Sequence, residues 1–578
     1  MRKATRRDRR NIPGVSAARC RSPPEPGRLG KPLAFDANQD ADTVRVRYVG
    51  IHRERKIKTQ LRSAIAPAIV VGLVAAGCAP DSDAPQDAAP APPPPNVIVV
   101  LADDLGYGDI GANGSTVIST PHIDELAANG VRLTDGYVSA AVCSPMRAGL
   151  FTGRYQNRFG YEYNPTANYE RNADAELGLP EDETTLGDMM REAGYATGLV
   201  GKWHLGFREQ YHPLKRGFDE FFGHLGGGTS YLDPNDPDGH SWPRRQPATT
   251  EPNAIRPAPV VGDRGDGPRA ILDGYEVVEV DEYLTDVFAD RAVSFIERHA
   301  GEPFFLMLAP NAPHTPIQAT TKYVARYAHI EEAGARIYAA MVSSVDDMVG
   351  RVTATLREHG LEENTLVVFI SDNGCINYMP AVICTNSPLS GGKRYHLDGG
   401  IRVPYLVKWP AGLPRGQVYS RPASVLDLYA TFAAAAGSDA GTEDSVNLLP
   451  YLRGEIEEPP HEYLFWRSLP NAAVRSGKWK LWRIDLTNQD PASVLGLGGR
   501  LLPEEDYPPV SAYGQITVLH DLEADVGERV NVADQHPEVV ERLEAALAAW
   551  EAELAEPMWI SKRSTLADLH GEAIQLYF

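Results

Sequence analysis

Two stretches of this chain, NVIVVLADD (96–104) and NTLVVFISDN (364–373), are apolar almost throughout and then stop in acids and amides. A strand with one wet face alternates apolar and polar residues. A strand covered on both faces does not, and continuous apolar runs mark parallel sheets enclosed by helices. The surrounding pattern agrees. PHIDELAANG (121–130) and TLGDMMREAG (185–194) have helical spacing, and YATGLVGKWH (195–204) is a further buried strand. DEYLTDVFADRAVSFIERHA (281–300) is a helix before the strand PFFLMLA (303–309), and a helical pattern runs from Ala333 to His359. The expected fold class is α/β: a large, mixed, mostly parallel sheet sandwiched by helices. Past residue 450 the character changes. EYLFWRS, AAVRSGKWKLWRID and ITVLHDL read as short antiparallel strands, followed by an amphipathic helix over 536–555. This predicts a smaller C-terminal α+β subdomain over 451–578, beside a main body over 96–450. Residues 226–270 break the rhythm with Gly, Pro and Asp, as a lid, a binding surface or a variable excursion would.

The amino-terminal part is of another kind. Residues 52–78 are basic, then apolar, then small, the layout of a secretory signal. The apolar run is too short to span a membrane comfortably. It ends Val-Ala-Ala-Gly-Cys, which resembles a bacterial lipoprotein cleavage box with Ala75 where Leu is more usual. Cys78 is then the lipidated first residue of the mature chain, and Ala79 favours the outer membrane. The alternative is an ordinary cleaved signal with a coincidental cysteine. Residues 1–48 read as an upstream extension without order, so the true start lies nearer residue 49. Residues 79–95, rich in Pro and Ala, form a linker or stalk. The expected location is the periplasm or outer membrane of a Gram-negative bacterium, with membrane attachment only through the lipid and with export and lipoprotein-processing machinery as partners.

Charge narrows the partners. The net charge is −21, yet residues 1–78 are basic, so the remainder carries 39 basic against 71 acidic residues. Such a body does not bind nucleic acid or an anionic membrane non-specifically. An anionic substrate needs a strongly positive local site. The five cysteines, Cys20, Cys78, Cys143, Cys375 and Cys384, are too few for a disulfide scaffold.

Chemistry gathers at the strand ends. In open α/β sheets, ligands bind beyond the carboxyl ends of the strands. If 96–104 and 364–373 are neighbours, Asp103, Asp104, Asp372 and Asn373 converge there. Three carboxylates in one pocket demand a cation, and all-oxygen donors favour Ca²⁺, with Mg²⁺ second, over zinc. Cys143 opens a helix in VCSPMRAGLFTGR (142–154), where a helix amino terminus attracts anions, with Pro145 in the first turn and Arg147 one turn on. A cysteine phosphatase would place Arg six positions after the cysteine. Position 149 is Gly, so that class is excluded.

Cys-Ser-Pro-Met-Arg at 143–147 resembles the Cys-x-Pro-x-Arg core of the formylglycine-dependent type I sulfatases, an arylsulfatase-like family within the alkaline-phosphatase-like superfamily. The resemblance extends through AGLFTGR, ADDLGYGDIG (102–111), GKWHLG (201–206), APHTP (312–316), SDNG (371–374), GGKRYHLDGGIRVPYLVKWPAG (391–412) and HDLEADVGERVNVA (520–533). It implies that a formylglycine-generating enzyme oxidises Cys143 to formylglycine, whose hydrate supplies the nucleophile. By the same resemblance, Asp103, Asp104, Asp372, Asn373 and residue 143 hold calcium. Arg147 positions and activates the diol, and Lys202 and Lys393 clamp the sulfate oxygens. His314 protonates the departing alcohol and His204 takes a proton from the second hydroxyl, although the two roles could be exchanged. Asp109 and Asn113 read as structural. Cys375 and Cys384, flanking INYMPAVI, can pair in an oxidising compartment and so help to position Lys393. The implied activity is hydrolysis of a sulfate ester on a sulfated glycan or an aryl sulfate. The competing readings are a phosphate or phosphonate monoester hydrolase of the same fold and a surface glycan-binding protein without catalysis.

Overall fold

The structure, a computed structural model, describes residues 93–165, 177–232, 237–242, 269–376, 384–485, 514–559, 561, 564–569 and 572–577. The upstream extension, the signal segment with Cys78, and the linker up to residue 92 lie outside the described residues, as do 233–236 and 243–268 of the irregular stretch. Among the described residues no helix is long and apolar enough to cross a membrane.

The frame is a ten-stranded sheet. From edge to edge its strands are Gln417–Tyr419, Val131–Leu133, Tyr405–Lys408, Thr365–Ser371, Asn96–Ala102, Phe304–Ala309, Ala196–Lys202, Glu220–His224, Ile271–Asp273 and Glu276–Val278. The five central strands, from Thr365–Ser371 to Glu220–His224, run parallel; Tyr405–Lys408 and Ile271–Asp273 run antiparallel to their neighbours. Every residue of Asn96–Ala102 is buried, because this strand has a parallel neighbour on each side and helices on each face. Its residues divide by parity, as strand geometry requires. Val97, Val99 and Leu101 join one apolar cluster with the Cys143–Thr152 helix. Ile98, Val100 and Ala102 join another with the Leu284–Arg298 and Ala333–Glu358 helices. The α/β sandwich expected from the apolar runs is the fold.

The C-terminal region forms a four-stranded antiparallel sheet of Leu464–Ser468, Asn471–Ser476, Trp479–Asp485 and Gln515–Asp521. The Pro537–Glu551 helix lays Val539, Leu543, Leu547 and Trp550 inward. These residues and Trp466 belong to the same apolar cluster as the first face of the main sheet, and the Trp466 indole donates to the Val138 carbonyl at 2.7 Å. The subdomain therefore covers the body rather than standing apart from it. The stretch AAVRSGKWKLWRID is two strands, divided at Gly477, whose φ of 56° makes the turn.

Two hairpins were not anticipated. Ile271–Asp273 and Glu276–Val278 turn at Gly274, with φ of 60°, on a sheet edge. The Asp-Gly pair was the available signal, but three-residue strands leave no alternation to read. The second, Ser564–Leu569 with Glu572–Tyr577, closes the chain. Within the irregular stretch, Gly239–Trp242 pairs antiparallel with Ile317–Thr320.

Gly201 sits in a central strand with φ of 118°, and a Cβ there would lie 2.0 Å from the Ala309 carbonyl oxygen on the neighbouring strand. Gly201→Ala is expected to cost more than about 1 kcal/mol, read as a lowered thermal unfolding midpoint.

Candidate active site

Four adjacent strands of the parallel core deliver their ends to one place. The register pairs Ala102 with Ser371, so Asp103 and Asp372 follow side by side. The Asp372 backbone N–H donates to the Ala102 carbonyl at 3.0 Å, and that of Asp103 to Ala312 at 3.1 Å. Asp104 takes a left-handed turn, φ 64°, and its N–H donates to Asp372 Oδ1 at 3.1 Å. Asn373 Nδ2 donates to Asp104 Oδ1 at 2.7 Å. Asp103, Asp104, Asp372 and Asn373 are all buried. The predicted convergence is present.

Cations hold this acidic cluster together. Lys202 Nζ lies 2.6 Å from Asp103 Oδ2. Arg147 reaches Asp372 Oδ2 at 3.1 Å and the Lys202 carbonyl at 2.8 Å. Lys393 Nζ bridges Asp104 Oδ1 and Cys143 Sγ, the latter at 2.8 Å. The cation on the cysteine sulfur is thus Lys393, while Arg147 braces the strand ends.

Burial works against the carboxylates. It pushes Asp372 up to about 6, helped by the neighbouring Asp103. It also acts on Asp104, but Lys393 and His314 outweigh it and hold that group below its ordinary range. The Cys143 thiol is pushed up to about 12 by burial, against the lowering pull of Lys202 and Lys393. An unmodified thiol so placed stays protonated near neutral pH and is a poor nucleophile.

Cys143 is the first residue of its helix, after extended Val142. The next turn is tied down by contacts that no sequence period announces. Asn164 Oδ1 accepts the Ser144 N–H at 3.0 Å, and Ser144 Oγ donates to the His204 carbonyl at 2.5 Å. His204 itself has φ of 62°, and its side chain is packed so closely by Gly227 that a Cβ there would lie 2.8 Å from Nε2. His314 Nδ1 faces the Thr315 carbonyl at 2.6 Å, which leaves Nε2 toward Asp104 Oδ2 at 3.7 Å. Burial holds both histidines below their ordinary value, His314 to about 3, so both rings are neutral.

Cys375 and Cys384 are disulfide-bonded. Beside the bond, Asn386 Nδ2 donates to the Cys375 and Gly391 carbonyls, each at 3.1 Å, and the Lys393 N–H donates to the Cys375 carbonyl at 3.1 Å. The staple therefore leads directly to the lysine. Asp109 accepts from Gly106, Thr385 and the Tyr338 hydroxyl, and the Asn113 amide donates to the Tyr107 carbonyl, both as scaffolding. Ser144, Asn164, Tyr338 and Asn386 are site supports that sequence reasoning missed, because their partners lie in distant segments.

The donor set fits a hard divalent ion. Ligand atoms of Asp103, Asp104, Cys143 and His314 lie within 4.8 Å of one another. Among the described residues, Asp103 Oδ1 and Asn373 Oδ1 are buried oxygens with no hydrogen-bond partner. A buried acceptor left unmatched costs about 1–3 kcal/mol, and oxygens of this kind are what Ca²⁺ and Mg²⁺ bind.

The chain matches, over residues 95–438, the family model described as Sulfatase. N-acetylgalactosamine-6-sulfatase of Sus scrofa is 32 % identical over 474 residues, 78 % of this chain and 84 % of that protein. Steryl-sulfatase of Mus musculus is 32 % identical, covering 81 % of this chain and 84 % of that protein. The crystal structure of Ps i-CgsB aligns with a TM-score of 0.66 at 32 % identity, over 81 % of this chain and 95 % of its own. Ps i-CgsB has also been solved in complex with k-i-k-neocarrahexaose.

Calcium is expected to raise the thermal unfolding temperature in a concentration-dependent way, by about 2.7 kcal/mol of stability at a hundred times its dissociation constant. Asp103→Ala and Asn373→Ala should each weaken that response in calorimetry. Reduction of the disulfide, or Cys384→Ser, should lower turnover more than it lowers the unfolding temperature, as an activity assay beside a thermal melt will show.

Proposed function

The chain belongs to the sulfatase family and is a sulfuric ester hydrolase, and on that premise we propose that it removes sulfate from a glycan, using calcium and a formylglycine made from Cys143. One observation carries the proposal. Cys143, three carboxylates, two lysines, an arginine and His204, all buried, meet the partly exposed His314 at the ends of adjoining strands. The glycan reading is supported by the relative named for N-acetylgalactosamine 6-sulfate and by the related structure bound to an oligosaccharide. Cys-Ser-Pro-Met-Arg supports recognition by a formylglycine-generating enzyme. The layout of residues 52–78 supports export and lipid attachment at Cys78, hence a periplasmic or outer-membrane lipoprotein.

Asp103, Asp104, Asp372, Asn373 and residue 143 would hold the calcium, which when bound supplies Lewis acidity toward a sulfate oxygen and toward a hydroxyl at residue 143. As formylglycine, residue 143 offers hydrated-aldehyde hydroxyls in place of a thiol that burial keeps protonated. The rest falls to the chain's own side chains. Lys393, already on the residue 143 side chain, orients it and offers positive charge to the sulfate. Lys202 supplies charge from the strand next but one to that of Asp103. Arg147 keeps Asp372 and the end of the Lys202 strand in register. His314 presents Nε2 to the site and carries a proton to the departing alcohol oxygen. His204, two residues past Lys202 at the end of the same strand, takes a proton from residue 143. Taking a proton suits the His204 imidazole, which burial holds neutral, whereas His314 must hold a proton on Nε2 before it can give one, a form that the nearby Asp104 carboxylate favours.

Mass spectrometry of the peptide bearing residue 143, from protein produced with a maturase, should find an aldehyde. Paired assays on the sulfate and phosphate esters of one sugar alcohol should favour sulfate, and Cys143→Ala should lower kcat by about a thousandfold or more. Full turnover by that variant, or preference for the phosphate ester, ends the proposal.

A further inference from the structure

The strand Glu220–His224 ends beside the catalytic lysine. Its register pairs His224 with Lys202, and partners in a parallel pair project to the same face of the sheet. His224 is fully buried, and among the described residues its ring has no side-chain hydrogen-bond partner, only the Gly226 backbone beside it. Burying an imidazole in that state is unfavourable. The same strand carries Phe221 and Phe222, both buried, so an apolar ring at position 224 would fill the space without that cost. The Gly-Gly-Gly run at 226–228 follows at once, and its Gly227 and Gly228 press on His204 and His314. His224 thus lies on the segment that runs from the register partner of Lys202 to the glycines packed on His204 and His314.

The unspent donors nearby are cationic. Among the described residues, the Lys202 ammonium donates to Asp103 alone and Arg147 Nε has no partner. Burial and the charges of Lys202 and Arg147 keep His224 well below its ordinary value, against a weaker pull from the Gly226 backbone. The ring is neutral, with the charges of Lys202 and Arg147 nearby.

Charge makes neutrality useful. Asp103 holds Lys202 in place but cancels its charge. If the lysine is to meet a sulfate, it must leave that carboxylate without falling out of position. A second carboxylate would hold it and cancel the charge again. A neutral imidazole can accept a hydrogen bond from the ammonium, directly or through one water, and leave the charge whole. We propose that His224 is a positioning residue for Lys202, the neutral acceptor that holds the ammonium toward the sulfate once it leaves Asp103. This rests on the sulfatase reading of the same site.

His224→Phe keeps the size of the ring and removes the acceptor, His224→Gln restores a neutral acceptor, and His224→Asp adds a charge. Steady-state kinetics on a sulfate ester and calorimetric binding of inorganic sulfate should be read together with the unfolding temperature. His224→Phe should raise KM and weaken sulfate binding about tenfold or more, with an unfolding temperature unchanged or raised. His224→Gln should recover most of both, and His224→Asp should bind sulfate more weakly than His224→Gln. Should His224→Phe fail to fold, His224→Leu takes its place. The proposal is overturned if the apolar variant folds and binds sulfate as the unaltered protein does. It is equally overturned if Gln is as damaging as Phe, because the position then needs the ring and not an acceptor. Absence of sulfate-ester turnover in the unaltered protein would instead sink the sulfatase reading, while the sulfate-binding comparison would still be readable.

Discussion

Three buried carboxylates crowd the ends of two neighbouring strands, and their mutual repulsion governs the rest of the site. Two unit charges 4 Å apart repel by about 4 kcal/mol at an effective dielectric of 20. Nothing in strand pairing relieves that cost, because the register that buries Asn96–Ala102 is the one that sets Asp103 beside Asp372. The relief comes from elsewhere in the chain: Lys202 from the next strand but one, Arg147 from the helix begun by Cys143, and Lys393 from the stapled loop. Each cation is itself buried, so neither partner of a pair can be removed without stranding the other. A site of this kind is held together by the charges that it later turns on a substrate.

That arrangement reconciles an acidic protein with an anionic substrate. The body outside the amino-terminal segment carries a large negative charge, and at long range it repels a sulfate ester. On the proposed function, a sulfate ester at short range would instead meet the positive charge of Lys202 and Lys393, in buried surroundings where charge counts for more. The C-terminal sheet serves this indirectly. Trp466 and the Pro537–Glu551 helix continue the apolar cluster that backs the Cys143 helix, so the residue expected to become the nucleophile sits on a fully packed element.

What was legible in the sequence was whatever is local. Seven consecutive buried residues read as a doubly covered strand, and the acids after them read as a strand end. Cys143, Pro145 and Arg147 fall within one helix. The resemblance carried by short contiguous motifs named the candidate site residues, and the structure gathers Asp103, Asp104, Cys143, Arg147, Lys202, His204, His314, Asp372, Asn373 and Lys393 about the ends of the central strands. The hairpin at Gly274 escaped notice because three-residue strands show no period, and Asn164 and Asn386 because a single polar residue in a loop announces no partner.

The chain's own order of residues thus determined the α/β class, the strand ends and the chemical inventory, since burial patterns and motifs are written over a few neighbouring positions. Only the folded structure decided who pairs with whom: Lys393 with a sulfur 250 residues away, Lys202 with a carboxylate 99 residues away, and the buried His224 beside Lys202 on the next strand. Hydrophobic periodicity records whether a residue is buried. Which side chains then meet depends on sheet order and register, and those are settled by the packing of the whole chain at once.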